Sequence, residues 1–204
     1  MTSGTYDAVI FDIGGVILDW DPRHLYRRLI PDPDEMEWFL AEVCSDAWNA
    51  EQDRGRAFSE AIKEAAARHP EYRELIEAYW KRWPETLDGL IPGTSEVIAE
   101  AAAAGTALFA ITNFSAETFP LAVAGYEVLS GFRDVVVSGE VKMIKPDPAI
   151  FHYALDRFGL SPHQALFVDD KPANVEAAEK LGMGTVLFTD AADLRERMKR
   201  SGLL

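Results

Sequence analysis

The stretch "AVIFDIGGVILDW" at residues 8–20 places a carboxylate directly after a short apolar run. Residues 8–11 are all apolar, which is typical of a strand buried inside a sheet. Asp12 follows this run, and Gly14 and Gly15 come next, where a chain without Cβ atoms can turn sharply and approach a ligand closely. The order predicts a buried strand that ends on an acid, at the end of the strand where open α/β sheets bind their ligands.

Four further apolar runs predict strands at 107–112, 134–138, 165–169 and 185–188. Helix-like stretches at 94–105, 147–159, 171–182 and 190–202 alternate with them, and these carry early prolines, closing glycines or Ser, Thr and Asp at the start. We expect a Thr/Ser cap for the first of these helices and Asp147 as the cap of the second. Alternating helices and continuous apolar strands predict an α/β fold with a Rossmann-like parallel sheet covered on both faces.

The segment between the first two strands has a different pattern. Apolar residues recur there at three- and four-residue steps, for instance Phe58, Ile62 and Ala65, and no convincing strand is present. The segment is too long to be a loop. We therefore predict an all-helical domain at 18–89, inserted into a core formed by 1–17 and 90–204.

Composition excludes several classes of partner. The 204 residues include 34 acidic and 20 basic side chains, for a net charge of −14. This charge opposes binding to nucleic acids and to anionic membranes. Cys44 is the single cysteine, so no intrachain disulfide is possible. The N-terminus shows no basic region and no long apolar stretch, so we expect no signal peptide and a cytoplasmic protein, with its oligomeric state left open.

Polar residues with complementary chemistry follow the predicted strands. These are Asp12, the pair Thr112 and Asn113, Lys145 shortly after the third strand, and the pair Asp169 and Asp170. A carboxylate such as Asp12 can act as a nucleophile and form a covalent intermediate. Oxygen ligands from Asp12 and Asp170 suit Mg²⁺. Lys145 would balance the charge of these acids, and the Thr112 hydroxyl would hold phosphate oxygens.

Four segments carry a resemblance to a known family: "FDIGGV", "ITN", "IKPDPAIF" and "FVDDKPANVEAA". They resemble, in order and spacing, the four motifs of the haloacid dehalogenase-like (HAD) hydrolase superfamily, over essentially the whole chain. The helical insertion is similar to the C1 cap of subfamily IA, which closes over the site. The resemblance implies Asp12 as nucleophile, Thr112 as phosphate ligand and Lys145 as the lysine of the third motif.

The same resemblance implies a Mg²⁺ cofactor and a ligand set. Asp12, the backbone carbonyl of Gly14 and Asp170 would bind the metal, with Asp169 beside them and Asn174 in support. The implied substrate is a small anionic phosphorylated metabolite similar to a sugar phosphate. Thr112, Asn113, Gly15 and Arg54 are the candidate substrate-binding residues. We select Arg54 because "WNAEQDRGRAF" (48–58) breaks two helices there and Gly55 is flexible, although a solvated surface turn explains the pattern equally well.

The sequence departs from the family at Gly14, where most of its phosphatases carry a second Asp as general acid and base. Three hypotheses follow: a phosphatase with weakened protonation of the leaving group, a 2-haloacid dehalogenase that works without metal, or a binding protein that has lost catalysis. Retention of both Asp169 and Asp170 favours the phosphatase. We expect any substitute acid among Asp19, Asp21 and His24, which follow the nucleophile closely.

Overall fold

The computed structural model describes residues 6–204. Residues 1–5, which open the segment in which we expect no signal peptide, lie outside the described residues. The strands are β1 (Ala8–Phe11), β2 (Leu18–Trp20), β3 (Leu87–Leu90), β4 (Ala107–Thr112), β5 (Asp134–Val137), β6 (Ala165–Asp169) and β7 (Gly184–Leu187). Five of them form a parallel sheet in the order β5–β4–β1–β6–β7. The predicted α/β fold is therefore confirmed.

The central strand β1 is buried on both faces. Val9 and Phe11 belong to the hydrophobic cluster on one side of the sheet, and Ala8 and Ile10 belong to the cluster on the other side. Each of the four is fully inaccessible to solvent. Because successive side chains of a strand point to opposite faces, a strand covered on both sides is apolar throughout and does not alternate.

The helices are α1 (Arg23–Tyr26), α2 (Pro33–Glu42), α3 (Asp46–Asp53), α4 (Phe58–Arg68), α5 (Arg73–Lys81), α6 (Thr94–Ala103), α7 (Phe119–Gly125), α8 (Ser138–Val141), α9 (Pro148–Phe158), α10 (Pro172–Lys180) and α11 (Ala191–Arg200). Asp147 caps α9 as expected, because its carboxylate accepts the Ala149 N–H at 2.9 Å. The expected Thr/Ser cap of α6 is wrong: Gly93 occupies the N-cap position, and Thr94 already lies in the helix. Among residues 6–204, none of the helices combines the length and apolar character needed to cross a bilayer.

The insertion is helical in its interior but not at its two ends. Helices α1 to α5 lie between β2 and β3, and these two short strands pair antiparallel. The expectation of a segment without strands is wrong on this point. Three- and four-residue strands carry little periodicity of their own, and "LDGL" in β3 contains a glycine that weakens strand propensity. Each strand is specified by its distant partner, so local sequence does not reveal it.

The helices of the insertion pack around aromatic side chains. The ring of Tyr79 lies 5.1 Å from Trp48 and 6.2 Å from both Tyr26 and Phe58. These residues belong to the same hydrophobic cluster as Val9 and Phe11 of β1. The insertion therefore shares a continuous apolar core with one face of the sheet.

Candidate active site

The strand order brings the predicted site residues to one edge of the sheet. The central strand β1 pairs with β4 on one side and with β6 on the other, so that Phe11 lies opposite both Ala110 and Val168. All three strands run parallel, and their carboxyl ends therefore meet at the same edge. Asp12 follows β1, and Thr112 and Asp169 are the last residues of β4 and β6. The three residues therefore lie side by side at this edge.

Lys145 lies between two of the acids. Its ammonium nitrogen is 3.0 Å from Asp12 Oδ2 and 2.7 Å from Asp169 Oδ2, and its side chain has no solvent exposure. The Asn113 side chain forms hydrogen bonds with both backbone polar groups of Lys145. Its amide oxygen accepts the Lys145 N–H at 2.8 Å, and its amide nitrogen donates to the Lys145 carbonyl at 3.0 Å. The position of Asn113 at the end of β4 thus determines where the ammonium group lies.

Burial and neighbouring charges determine the protonation of this group. The pKa of Asp12 is raised to about 7, mainly by burial and also by the charge of Asp169, against the lowering effect of Lys145. Burial alone would lower the pKa of Lys145, but the carboxylates of Asp12 and Asp169 outweigh it and hold that pKa above its usual value. Lys145 therefore stays cationic. A divalent cation beside Asp12 would favour its ionised, nucleophilic form.

Asp169 and Asp170 are adjacent in sequence but have different environments. Asp169 accepts hydrogen bonds on both oxygens, from Lys145, from the Asn174 amide at 3.0 Å and from the Lys171 backbone at 2.8 Å. One oxygen of Asp170, Oδ1, is buried and has no hydrogen-bond partner among residues 6–204. Burial, and then the charge of Asp169, raises the pKa of Asp170. Asp170 is thus the acid with an oxygen free to bind a cation.

Carboxylate oxygens from Asp12, Asp169 and Asp170 lie within 4.8 Å of one another. Burying a carboxylate oxygen without a hydrogen-bond partner costs free energy unless a ligand or an ion binds that oxygen. The donor set is made of oxygens, which is what Mg²⁺ requires. The residues present therefore fit a magnesium ion.

Gly15 makes room for this cluster and does not present its N–H to the site. Its φ is +75°, and an added Cβ would lie 2.6 Å from Asp170 Oδ2. The Gly15 N–H donates to the Leu18 carbonyl at 2.9 Å, which leaves it unable to hold a phosphate oxygen. The expectation that Gly15 binds substrate is therefore replaced by a steric role. Gly14, in contrast, has nothing within 4 Å of an added Cβ.

We expect Gly15→Ala to lower the free energy of unfolding by about 2 kcal/mol or more, because alanine is strained at positive φ and its methyl group displaces the Asp170 carboxylate. Gly14→Ala is the matched control, since its backbone is not left-handed and space is open. Urea unfolding of both variants measures the difference. Equal stability of the two alanine variants would contradict the close approach at Gly15.

Thr112 and Arg54 have opposite environments. The Thr112 hydroxyl is buried and has no hydrogen-bond partner within the described part of the chain, so it is available to a ligand oxygen. Arg54 is exposed, and its guanidinium lies 2.8 Å from the Glu51 carboxylate. The structure therefore brings Thr112 to the sheet edge, but it does not bring Arg54 there.

A small cavity lies between the insertion and the sheet edge, and Gly14 and Asn113 of the core line it. Its volume is about 60 Å³. Its walls combine aromatic and polar residues: Gly14, Trp20, Asn49, Asp53, Trp83, Asn113, Phe114 and Thr118. Asp53 is not among the residues that the sequence predicts for the site, whereas the neighbouring Arg54 is. A helix break in the sequence indicates that the chain turns there. It does not indicate which of the neighbouring side chains lies inside.

The predicted substitute acids lie elsewhere. His24 Nε2 is 3.1 Å from Asp19 Oδ1, and Asp21 accepts the Arg23 N–H at 2.8 Å. None of Asp19, Asp21 and His24 lines the cavity that contains Gly14. The expectation that one of them faces the leaving group is therefore not met by this geometry.

A family model described as haloacid dehalogenase-like hydrolase matches residues 6–182. The chain belongs to this family of hydrolases. A phosphoserine phosphatase from Thermus thermophilus is 36% identical over 137 residues, which are 65% of this chain and 53% of the relative. The chain thus spans about half the length of that curated relative.

Solved structures of the HAD family share the fold. A HAD-like hydrolase from Porphyromonas gingivalis superposes with a TM-score of 0.75 at 20% identity, covering 97% of this chain and 98% of that one. A HAD family enzyme from Bacteroides thetaiotaomicron, in complex with magnesium and inorganic phosphate, gives a TM-score of 0.70 at 18% identity, covering 91% and 95%. At these identities the likeness establishes the architecture alone.

Proposed function

We propose that this HAD hydrolase is a Mg²⁺-dependent phosphatase that hydrolyses a small phosphorylated metabolite through an aspartyl-phosphate on Asp12. One observation carries the proposal: the buried Asp12–Lys145–Asp169 group lies next to Asp170, whose Oδ1 has no partner among the residues that the structure describes. The similarity to a phosphoserine phosphatase supports phosphate ester chemistry. The Bacteroides enzyme supports the compatibility of this fold with magnesium and phosphate.

Each residue of the group has a chemical role. The Asp12 carboxylate attacks phosphorus while the bond from phosphorus to the leaving oxygen breaks, and water later attacks the aspartyl-phosphate to release phosphate. Lys145 orients Asp12 and offsets its charge. The free Thr112 hydroxyl donates to a phosphate oxygen, and Asn113 keeps Lys145 in place.

Asp12, Asp170 and the Gly14 carbonyl would hold the magnesium ion, with Asp169 and Asn174 as supporting neighbours. When bound, the ion supplies charge stabilisation to the phosphoryl oxygens. A 2-haloacid dehalogenase has no use for a cation, and this alternative leaves the buried Asp170 oxygen without a function. The phosphatase is therefore the better account of the acids that are present.

The cavity sets the size of the substrate. Its volume is only about 60 Å³, so the part of the substrate that enters it is small. We propose that residues 18–89 form the cap of the enzyme, since helix α3 of this segment contributes one wall of the cavity through Asn49 and Asp53. Substrates as large as a sugar phosphate would require the cap to move outward.

A paired assay tests the proposal. Phosphate release from a panel of phosphorylated metabolites is measured with Mg²⁺ and with EDTA, beside chloride release from 2-chloropropionate. We expect phosphate release that EDTA abolishes, and no chloride. Asp170→Asn should raise the Mg²⁺ concentration needed for half-maximal rate by about tenfold or more. Chloride release that persists in EDTA would support the dehalogenase instead.

A further inference from the structure

An acidic side chain lines the cavity between the insertion and the sheet edge. Among the residues that line it in the described chain, 6–204, Asp53 carries the only titratable side chain. Gly14, where most family phosphatases carry their acid, lines the same cavity. Gly14 and Asp53 therefore line one space, Gly14 from the core and Asp53 from the insertion.

Contacts with the core hold Asp53 at this place. Ser138 Oγ donates to the Asp53 carbonyl at 2.6 Å. The next turn of chain also packs against the core closely, since a Cβ at Gly55 would lie 2.8 Å from the Gly139 carbonyl. Asn49 donates to Asp53 Oδ2 at 3.1 Å, and the Ser115 backbone also hydrogen-bonds the Asp53 carboxylate, so both contacts fix this side chain.

The surroundings favour the protonated form of Asp53. Burial raises its pKa to about 7, against the lowering effects of Lys171, of the Ser115 backbone and of Arg54. Asp53 is also the last residue of α3, where the helix dipole disfavours an anion. An acid with a pKa near the working pH is suited to both donating and accepting a proton.

We propose that Asp53 is the general acid and base of this enzyme, in place of the residue absent at Gly14. As Asp12 attacks phosphorus and the ester bond breaks, the Asp53 proton passes to the leaving oxygen, which gives an alcohol and an Asp53 carboxylate. That carboxylate then takes a proton from the water that attacks the aspartyl-phosphate, which restores the acid. The inference rests on the proposed phosphatase function and assigns its proton donor.

Asp53→Asn tests the assignment through the leaving group. The constant kcat/KM is measured for nitrophenyl phosphate, whose leaving oxygen needs no proton, and for simple alkyl phosphates, whose oxygen does. We expect a loss of about 10²-fold or more for the alkyl esters and of less than about tenfold for the nitrophenyl ester. Glu51→Gln, an exposed change on the same helix, is the control. The double variant Gly14→Asp/Asp53→Asn should regain at least about tenfold on alkyl esters, because space is open at Gly14.

Thermal melts test whether misfolding is the cause of the loss of activity in Asp53→Asn. A raised pKa means that the stability contributed by protonated Asp53 is present at low pH and is lost as the pH rises from about 4 through about 7. The neutral amide of Asp53→Asn carries no such penalty, so the variant should melt no lower than the wild type at pH 8. An equal loss on all esters, or no loss, would overturn the role of Asp53. Absence of Asp12-dependent hydrolysis of any ester would overturn the phosphatase itself.

Discussion

Asp12→Asn should reduce phosphate release to background, a loss of at least about 10³-fold, because an amide cannot replace the attacking carboxylate. The fold should survive. Asparagine is isosteric, its oxygen can still accept the Ile13 N–H, and Asp169 remains as the partner of Lys145 at 2.7 Å. Because burial makes the Asp12 charge costly, we expect the melting temperature to stay within a few degrees of the wild type.

Acid-quenched mass spectrometry gives direct evidence on the intermediate. Wild-type protein mixed with substrate should carry one phosphoryl group on the peptide that contains Asp12, and Asp12→Asn should carry none. Turnover of the asparagine variant at the wild-type rate would refute Asp12 as nucleophile. A phosphoryl group on another residue would refute it equally.

Lys145→Met should be the most destabilising change at the site. It removes the cation between two buried carboxylates, and loss of one partner from a buried charged group typically costs about 3–5 kcal/mol. Phosphate release should fall with it, since Asp12 then shares a site with an uncompensated Asp169. Urea unfolding measures the change in the free energy of unfolding.

Two further variants separate charge from packing. Lys145→Met/Asp169→Asn removes one of the repelling charges and should recover part of the lost stability. Lys199→Met is the matched control, because that lysine forms an exposed pair with Glu196 and its loss should change stability little. A double variant no more stable than Lys145→Met alone would show that packing, and not charge, dominates at this position.

The sequence by itself determined the sheet and the acids along its edge. Continuous apolar runs identify strands buried on both faces, and the residues that follow them must share one edge in a parallel sheet. Asp12, Thr112, Lys145 and Asp170 could therefore be selected without coordinates. The same reasoning reached the helical nature of the insertion, whose apolar residues repeat at the helical period.

Tertiary structure alone decided the rest. The pairing of β2 with β3 depends on contact between distant segments, which short strands do not reveal. The sequence pattern predicts Gly15 as a substrate ligand, but the close approach of Asp170 gives it a steric role. In "EQDRG" the residue that enters the cavity is Asp53 and not Arg54. That choice depends on how the end of α3 packs against Ser138 and Gly139 of the core, and no local pattern encodes the contact between the two.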